Sequence, residues 1–183
     1  MPTPSRATDM RYKRLVASAL FAAAALIIFV VEAQIPAPVA IPGIKLGLAN
    51  VITVMTVRLC GRRDALAVLA IRILLGALFC GTPVSLLYSA AGGILCYAVT
   101  ALLTGILTDR QIPFLSVAGA IAHNIGQLCV AAAVTGTVKI FTYLPLLCVS
   151  AVVTGLFTGF AAMFAVIGLR KNRFFENNGS KEK

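Results

Sequence analysis

Arg72 and the run His123-Asn124-Ile125-Gly126-Gln127 stand inside stretches that are otherwise apolar, so they are where this chain can do chemistry. A guanidinium carries five donors in a planar fork and suits phosphate, carboxylate or conjugated imide oxygens. On a helix, Asn124 and Gln127 share a face at i, i+3, and His123 neighbours Gln127 at i, i+4. Asn50 adds a further amide, Tyr88 a ring able to stack on a flat ligand, and Lys45 a second cation, which equally could snorkel to the surface. Counted at about 1.5 Å per helical residue from the ends remote from the basic turns, Tyr88, Asn50, Gln127 and Arg72 lie roughly 8–12 Å deep, and His123 and Asn124 about 15 Å. The expectation is one ligand site lined by Lys45, Asn50, Arg72, Tyr88, His123, Asn124 and Gln127.

Each of these residues also has a plainer role. Arg72 can pair with helix-terminal carbonyls or with Glu32 and simply hold helices together. The amides can make interhelical hydrogen bonds, which are worth only about 0.6 kcal/mol in membranes. His123 is the single histidine, with no second His, Cys or acid in its neighbourhood, and makes a poor metal ligand. No acid is expected at Arg72's depth within the spans, and this favours a ligand over a strut. An arginine facing lipid there costs about 2.5–3.5 kcal/mol, so its side chain should face the interior.

Other chemistries lack their residues. There is no G-x-x-x-x-G-K-[ST] phosphate loop, no GxSxG and no HExxH. Asp9, Asp64 and Asp109 stand singly at the ends of apolar runs. Paired carboxylates for acid–base or magnesium–diphosphate chemistry are missing. Catalysis by this chain alone is not expected, nor is a bound metal or a resident cofactor.

The elements that must position these groups follow from composition. The chain is 60% hydrophobic and 12% charged, against about 25% charged for soluble domains. Runs of about 20 apolar residues match a hydrocarbon core about 30 Å thick. Six helices fit an all-α, polytopic bundle: Leu15–Val31, Ile44–Leu59, Ala65–Phe79, Pro83–Leu107, Phe114–Val134 and Phe141–Leu169. The breaks between them are Pro36, Pro38, Pro42 and Gly43, then Gly81-Thr82-Pro83, then Pro113. The runs show no period of two and are too long for barrel strands.

Basic residues mark alternate turns. One set is Arg6, Arg11, Lys13 and Arg14, then Arg58, Arg62 and Arg63, then Arg110, then Arg170, Lys171, Arg173, Lys181 and Lys183. The opposite turns carry only Lys139, with Lys45 and Glu32 near helix ends. By the positive-inside rule the chain crosses the cytoplasmic (inner) membrane six times, with both termini cytoplasmic. Residues 1–14 form a cytoplasmic segment, 15–169 the membrane domain and 170–183 a partly disordered tail. The net charge of +10 thus reads as anchoring beside anionic lipid, not nucleic-acid binding. Cys60, Cys80, Cys96, Cys129 and Cys148 include no CxxC pair and read as buried small residues. Small residues at Ala19 and Ala23, Gly92 and Gly93, and Gly155 and Gly159 allow close helix approach.

The stretches Ile41-Pro42-Gly43-Ile44-Lys45-Leu46-Gly47-Leu48-Ala49-Asn50, Arg72-Ile73-Leu74-Leu75-Gly76 and Ser116 to Gln127 resemble the Gx transporter family, whose members often carry the label heptaprenyl diphosphate synthase component I. That family is similar to the substrate-binding S components of energy-coupling-factor vitamin transporters. The resemblance implies six helices, a pocket open to the outside, and a flavin or flavin nucleotide as transported ligand. It also implies energy-coupling transmembrane and ATPase subunits as partners, with Ala19 and Ala23 matching the small-residue spacing that contacts a coupling subunit. The enzyme label fits these residues poorly, because no DDxxD-like run is present. Two other classes remain: a membrane accessory or lipid-binding subunit in isoprenoid or quinone synthesis, and a structural subunit of a redox complex.

Overall fold

The computed structural model describes residues 6–35, 46–80 and 83–171. Among these there are six α-helices and no strand: α1 Arg6–Glu32, α2 Asn50–Leu59, α3 Arg62–Cys80, α4 Pro83–Leu103, α5 Ile112–Thr135 and α6 Leu144–Arg170. Short 3-10 turns, Asp109–Gln111 and Val138–Tyr143, lead into α5 and α6. Helices are the natural answer for chains this apolar, because they satisfy every internal backbone N–H and C=O within one segment.

The helices alternate in direction, and the ion pairs reveal it. Arg14 near the start of α1 donates to Asp64 Oδ2 at 3.0 Å and to the carbonyl of Cys60 at 2.6 Å. Arg58 at the end of α2 donates to the carbonyl of Leu107 at 2.7 Å. Asp109 then bridges Arg58 at 3.6 Å and Arg170 at 2.8 Å. The beginnings of α1, α3 and α5 and the ends of α2, α4 and α6 therefore meet in one basic layer. This up–down arrangement is the one that the alternating charges imply.

Six crossings were expected, yet among the described residues four helical segments are long and apolar enough to span a membrane: Arg11–Glu32, Pro83–Leu103, Asp109–Thr135 and Val138–Arg170. The two others fall short for different reasons. At ten residues, α2 covers only about 15 Å, half of the hydrocarbon core. In α3, Arg62, Arg63, Asp64 and Arg72 crowd a helix of 19 residues with charge. The apolar helices identify a multi-pass membrane protein.

Several boundaries differ from the expected ones. Helix α1 begins at Arg6, a turn or more before Leu15, because nothing between them breaks a helix. Helix α2 begins at Asn50, not Ile44; Gly47 sits at φ +81° just before it, a left-handed conformation that ends helical continuity. Helix α4 stops at Leu103 where Thr104–Ile106 turn, and α6 starts at Leu144 because the preceding residues wind as a 3-10 turn. The breaks assigned to Pro36, Pro38, Pro42, Gly43, Gly81 and Thr82, and the tail beyond Lys171, lie outside the described residues.

Helix α2 is the hub. It touches α1, α3, α4, α5 and α6, and seven of its residues are buried. At the basic end Ala17, Val54, Leu59, Ile112, Leu115, Ala162 and Val166 form one core, and Tyr88, Leu128, Ala131, Ile140 and Leu147 form another toward the opposite end. Helix α5 packs most extensively, between α4 and α6. Glycines set those distances: a Cβ at Gly126 would lie 2.7 Å from the Ala91 carbonyl, and at Gly159 2.5 Å from Pro113 Cα. Large side chains such as Leu78, Leu102, Phe114, Phe157 and Phe164 point outward, as a lipid-facing surface requires. Cys60 and Cys96 are buried as expected, whereas Cys129 lies on the exposed face.

Candidate functional site

The candidate site forms where the end of α1 meets the start of α2. Ala49 precedes α2 and offers no side-chain cap, and the N–H groups of Asn50, Val51 and Ile52 bond back to the carbonyls of Gly47, Leu48 and Ala49. The N–H groups of the turn before α2 are met by Glu32, the last residue of α1 and 4% exposed. Its Oε1 accepts from the backbone N–H of Gly47, and its Oε2 from that of Ala49 at 3.3 Å. A carboxylate at a helix N-terminus also meets the positive end of the helix dipole.

Arg72 approaches from α3, about 15 Å along that helix from Arg62. It is 3% exposed. Nη1 donates to Asn50 Oδ1 at 3.3 Å, a long bond for a charged donor. The Nε of Arg72 and the Nδ2 of Asn50 are buried without a hydrogen-bond partner. Glu32 acts on Arg72 as an electrostatic partner, although the ion pairs within 4.0 Å among the described residues are all at the basic end. Gly93 of α4 makes room for the guanidinium, since a Cβ there would lie 3.1 Å from Nη2.

His123 of α5 fills the space between two glycines. A Cβ at Gly47 would come within 3.0 Å of the ring's Cδ2, and one at Gly92 within 2.7 Å of Cε1 and Nδ1. With Phe29, Glu32, Ala49, Arg72, Ser89 and Gln127, His123 and Gly47 line a cleft of about 10 Å³. That is about the space one water occupies. A cleft of that size has no room for a flavin ring.

The structure thus brings together Asn50, Arg72, His123 and Gln127 from three helices, α2, α3 and α5. It places Tyr88 elsewhere: the ring is 2% exposed and packs with Leu128, Ala131, Ile140 and Leu147. Its neighbour Ser89 is the α4 residue that faces the cleft. Asn124 turns toward α6, donating Nδ2 to the Leu147 carbonyl at 2.8 Å. Lys45 lies outside the described residues. Ala19 and Ala23 are exposed on α1, while Ala17, Ala22 and Ala25 take the inward face.

The expectation that no acid lies at Arg72's depth is overturned: Glu32, the partner named in its plainer role, folds back from the end of α1 and lines the same cleft. The signal for it was a single carboxylate closing an apolar run, read from its position as an interface residue. Gly47, Phe29 and Ser89 gave no chemical signal at all.

No curated protein and no solved structure matches this chain. A family match is found for residues 21–165, which take in all of the cleft. That stretch is well over half of the 183 residues. The chain accordingly belongs to the heptaprenyl diphosphate synthase component I family.

Proposed function

We propose that this chain is a membrane-embedded binding component with no catalysis of its own, whose ligand meets Arg72. One observation carries the reading. A guanidinium is held 3% exposed, while its Nε and the adjoining Asn50 Nδ2 lack partners. Such orphan donors are costly in a low-dielectric interior unless something else satisfies them. A cleft of this volume must widen to admit anything larger than water.

Two uses of such a component compete. The family's description favours a membrane subunit associated with heptaprenyl diphosphate synthesis, and the word component implies a protein partner. This accessory role has the better support from the comparisons. Transport of a vitamin-like solute, a flavin for instance, rests on the resemblance to S components. One geometric point favours it: the polar cleft lies away from the basic layer, which the positive-inside rule assigns to the cytoplasm. A diphosphate made in the cytoplasm would be expected to dock on the other side.

Purification from native membranes, followed by an absorption spectrum and mass spectrometry of extracted small molecules, separates these uses. Bound flavin supports transport. A co-purifying prenyl-chain synthase subunit supports the accessory role. Wild-type and Arg72→Ala protein that carry the same contents would remove Arg72 from either.

A further inference from the structure

We propose that the cleft opens by an angular swing: α1 and α3 tilt as a pair away from α2 and a rigid α4–α5–α6 block, with the basic layer as the hinge. The proposal deepens the binding role above, since a cleft of about 10 Å³ must widen before it holds any solute.

The block is locked by backbone. A Cβ at Gly126 of α5 would lie 2.7 Å from the Ala91 carbonyl oxygen and 2.9 Å from Gly92 Cα, both of α4. One at Gly155 of α6 would lie 2.7 Å from Val117 Cα, and one at Gly159 2.5 Å from Pro113 Cα, both of α5. Backbones packed at that range have no rotamer to give, so the three helices move together. Helix α2 stays with them, because Val54 and Leu59 share a core with Ile112, Leu115, Ala162 and Val166.

The seam to α1 and α3 is of another kind. A Cβ at Gly93 of α4 would meet Leu69 Cδ1 at 3.0 Å, Arg72 Nη2 at 3.1 Å and Ile73 Cδ1 at 3.5 Å. All three atoms are ends of flexible side chains. Ile52 of α2 likewise shares a side-chain cluster with Ala22, Ala25 and Val68. Polar bonds crossing the seam at the cleft include Arg72 to Asn50 at 3.3 Å and Glu32 to the Gly47 and Ala49 N–H groups. Helices α1 and α3 are seated on each other, for a Cβ at Gly76 would lie 2.7 Å from the Phe29 ring.

The cleft sits on this seam. Phe29, Glu32 and Arg72 form one wall, and Ser89, His123 and Gln127 the other. At the basic end the moving pair is tethered. Tyr97 of α4 donates to the Arg62 carbonyl at 3.0 Å, and Arg14 donates to the Cys60 carbonyl at 2.6 Å. A pair fastened at one end and held by side-chain tips at the other closes and opens as a hinge. Arg72 lies about 15 Å along α3 from Arg62, so a tilt of about 15° carries it about 4 Å, more than the width of a water.

Spin-label distances in lipid nanodiscs test the swing on the full chain, with Cys80, Cys129 and Cys148 replaced by serine and the buried Cys60 and Cys96 kept. Three pairs sit at exposed positions. Leu78→Cys with Val134→Cys spans the seam at the cleft end, Leu66→Cys with Leu102→Cys spans it at the basic end, and Val134→Cys with Leu146→Cys lies inside the block. The first pair should show two distances that differ by about 4 Å or more, and the other two a single distance each. Gly93→Ala, which wedges the seam, should raise the share of the longer distance at least twofold. A single distance for the first pair in both backgrounds would overturn the swing, as would an equal spread inside the block. If the labelled chains do not fold, Ser89→Cys in the otherwise native chain decides. Gly93→Ala should then speed its reaction with a small methanethiosulfonate at least fivefold, and an unchanged rate would overturn the proposal. No ligand takes part in either measurement. An immobile seam therefore leaves the binding role to the extraction test, and a swinging seam in protein that carries no solute counts against that role alone.

Discussion

The His123 imidazole lies against Gly92 so closely that a Cβ there would meet Cε1 and Nδ1 at 2.7 Å and the His123 carbonyl at 3.0 Å. A methyl group cannot be accommodated without moving α5 against α4. Gly92→Ala should therefore cost about 1–3 kcal/mol, the usual penalty of overpacking. Gly168→Ala, with nothing within 4 Å, should be neutral or stabilising by up to about 1 kcal/mol, because glycine is a poor helix former. Thermal unfolding of both variants in detergent compares them directly, and equal melting temperatures would contradict the packing.

Arg72 and Glu32 should be energetically coupled. Removing either leaves the other's charge buried and poorly compensated. Arg72→Met and Glu32→Gln should each destabilise the bundle, and the double variant should be more stable than the sum predicts by about 0.5–3 kcal/mol. A double-mutant cycle measured by unfolding gives that number. Strict additivity would show that the two groups do not sense one another.

Ala19 and Ala23 lie on the exposed face of α1, so replacing both with Leu touches no internal packing. Stability should change by no more than about 0.5 kcal/mol. If this face meets a partner subunit, co-purification of that subunit should fall while ligand binding persists. A large drop in melting temperature would place these residues inside the fold instead.

Cys60 lies in the basic layer at the end of α2, where burial, and next the Asp64 carboxylate, push its thiol up to about 12 from 9.0, with Arg14 opposing. At pH 8 it should resist iodoacetamide in the folded protein and react after denaturation, because only the thiolate attacks. The sign for stability follows. The unfolded thiol ionises first, so stability is unaffected below about pH 9 and declines from there toward pH 12. Rapid alkylation of folded protein, mapped by mass spectrometry, would contradict this.

Orientation is open to a labelling test. Single cysteines at Gln34 and Thr137 should react with an impermeant maleimide from outside sealed cells, and those at Arg62 and Arg110 should not. The reverse pattern would turn the bundle over.

Much of the arrangement was legible in the sequence because it follows from one-dimensional signals. Arg58, Asp109 and Arg170 mark turns by charge, and all three meet in the basic layer. Gly92 and Gly155 signal close approach, and both lie at tight interfaces. Arg72 is buried, as the cost of exposing it to lipid demands. The errors came where three-dimensional direction matters. Tyr88 and Ser89 are adjacent, and a rotation of about 100° around the helix decides which one meets the cleft. Asn124 is displaced from Gln127 by a similar choice of face and spends its amide on α6. Glu32 was named as one partner open to Arg72 but set aside on depth, because a count along α1 ignores that its carboxylate reaches the turn before α2.

The central position of the ten-residue α2 has a consequence for how the molecule may be divided. Three helices precede residues 81–82 and three follow them, which invites a description as two halves. Yet α2, from the first half, lies against α4, α5 and α6 and ends in the Arg58 contacts to Leu107 and Asp109. Removing the second half would strip α2 of three neighbours and expose its buried threonines and asparagine. The short helix is a shared keel, and neither half is a structural module apart from the other.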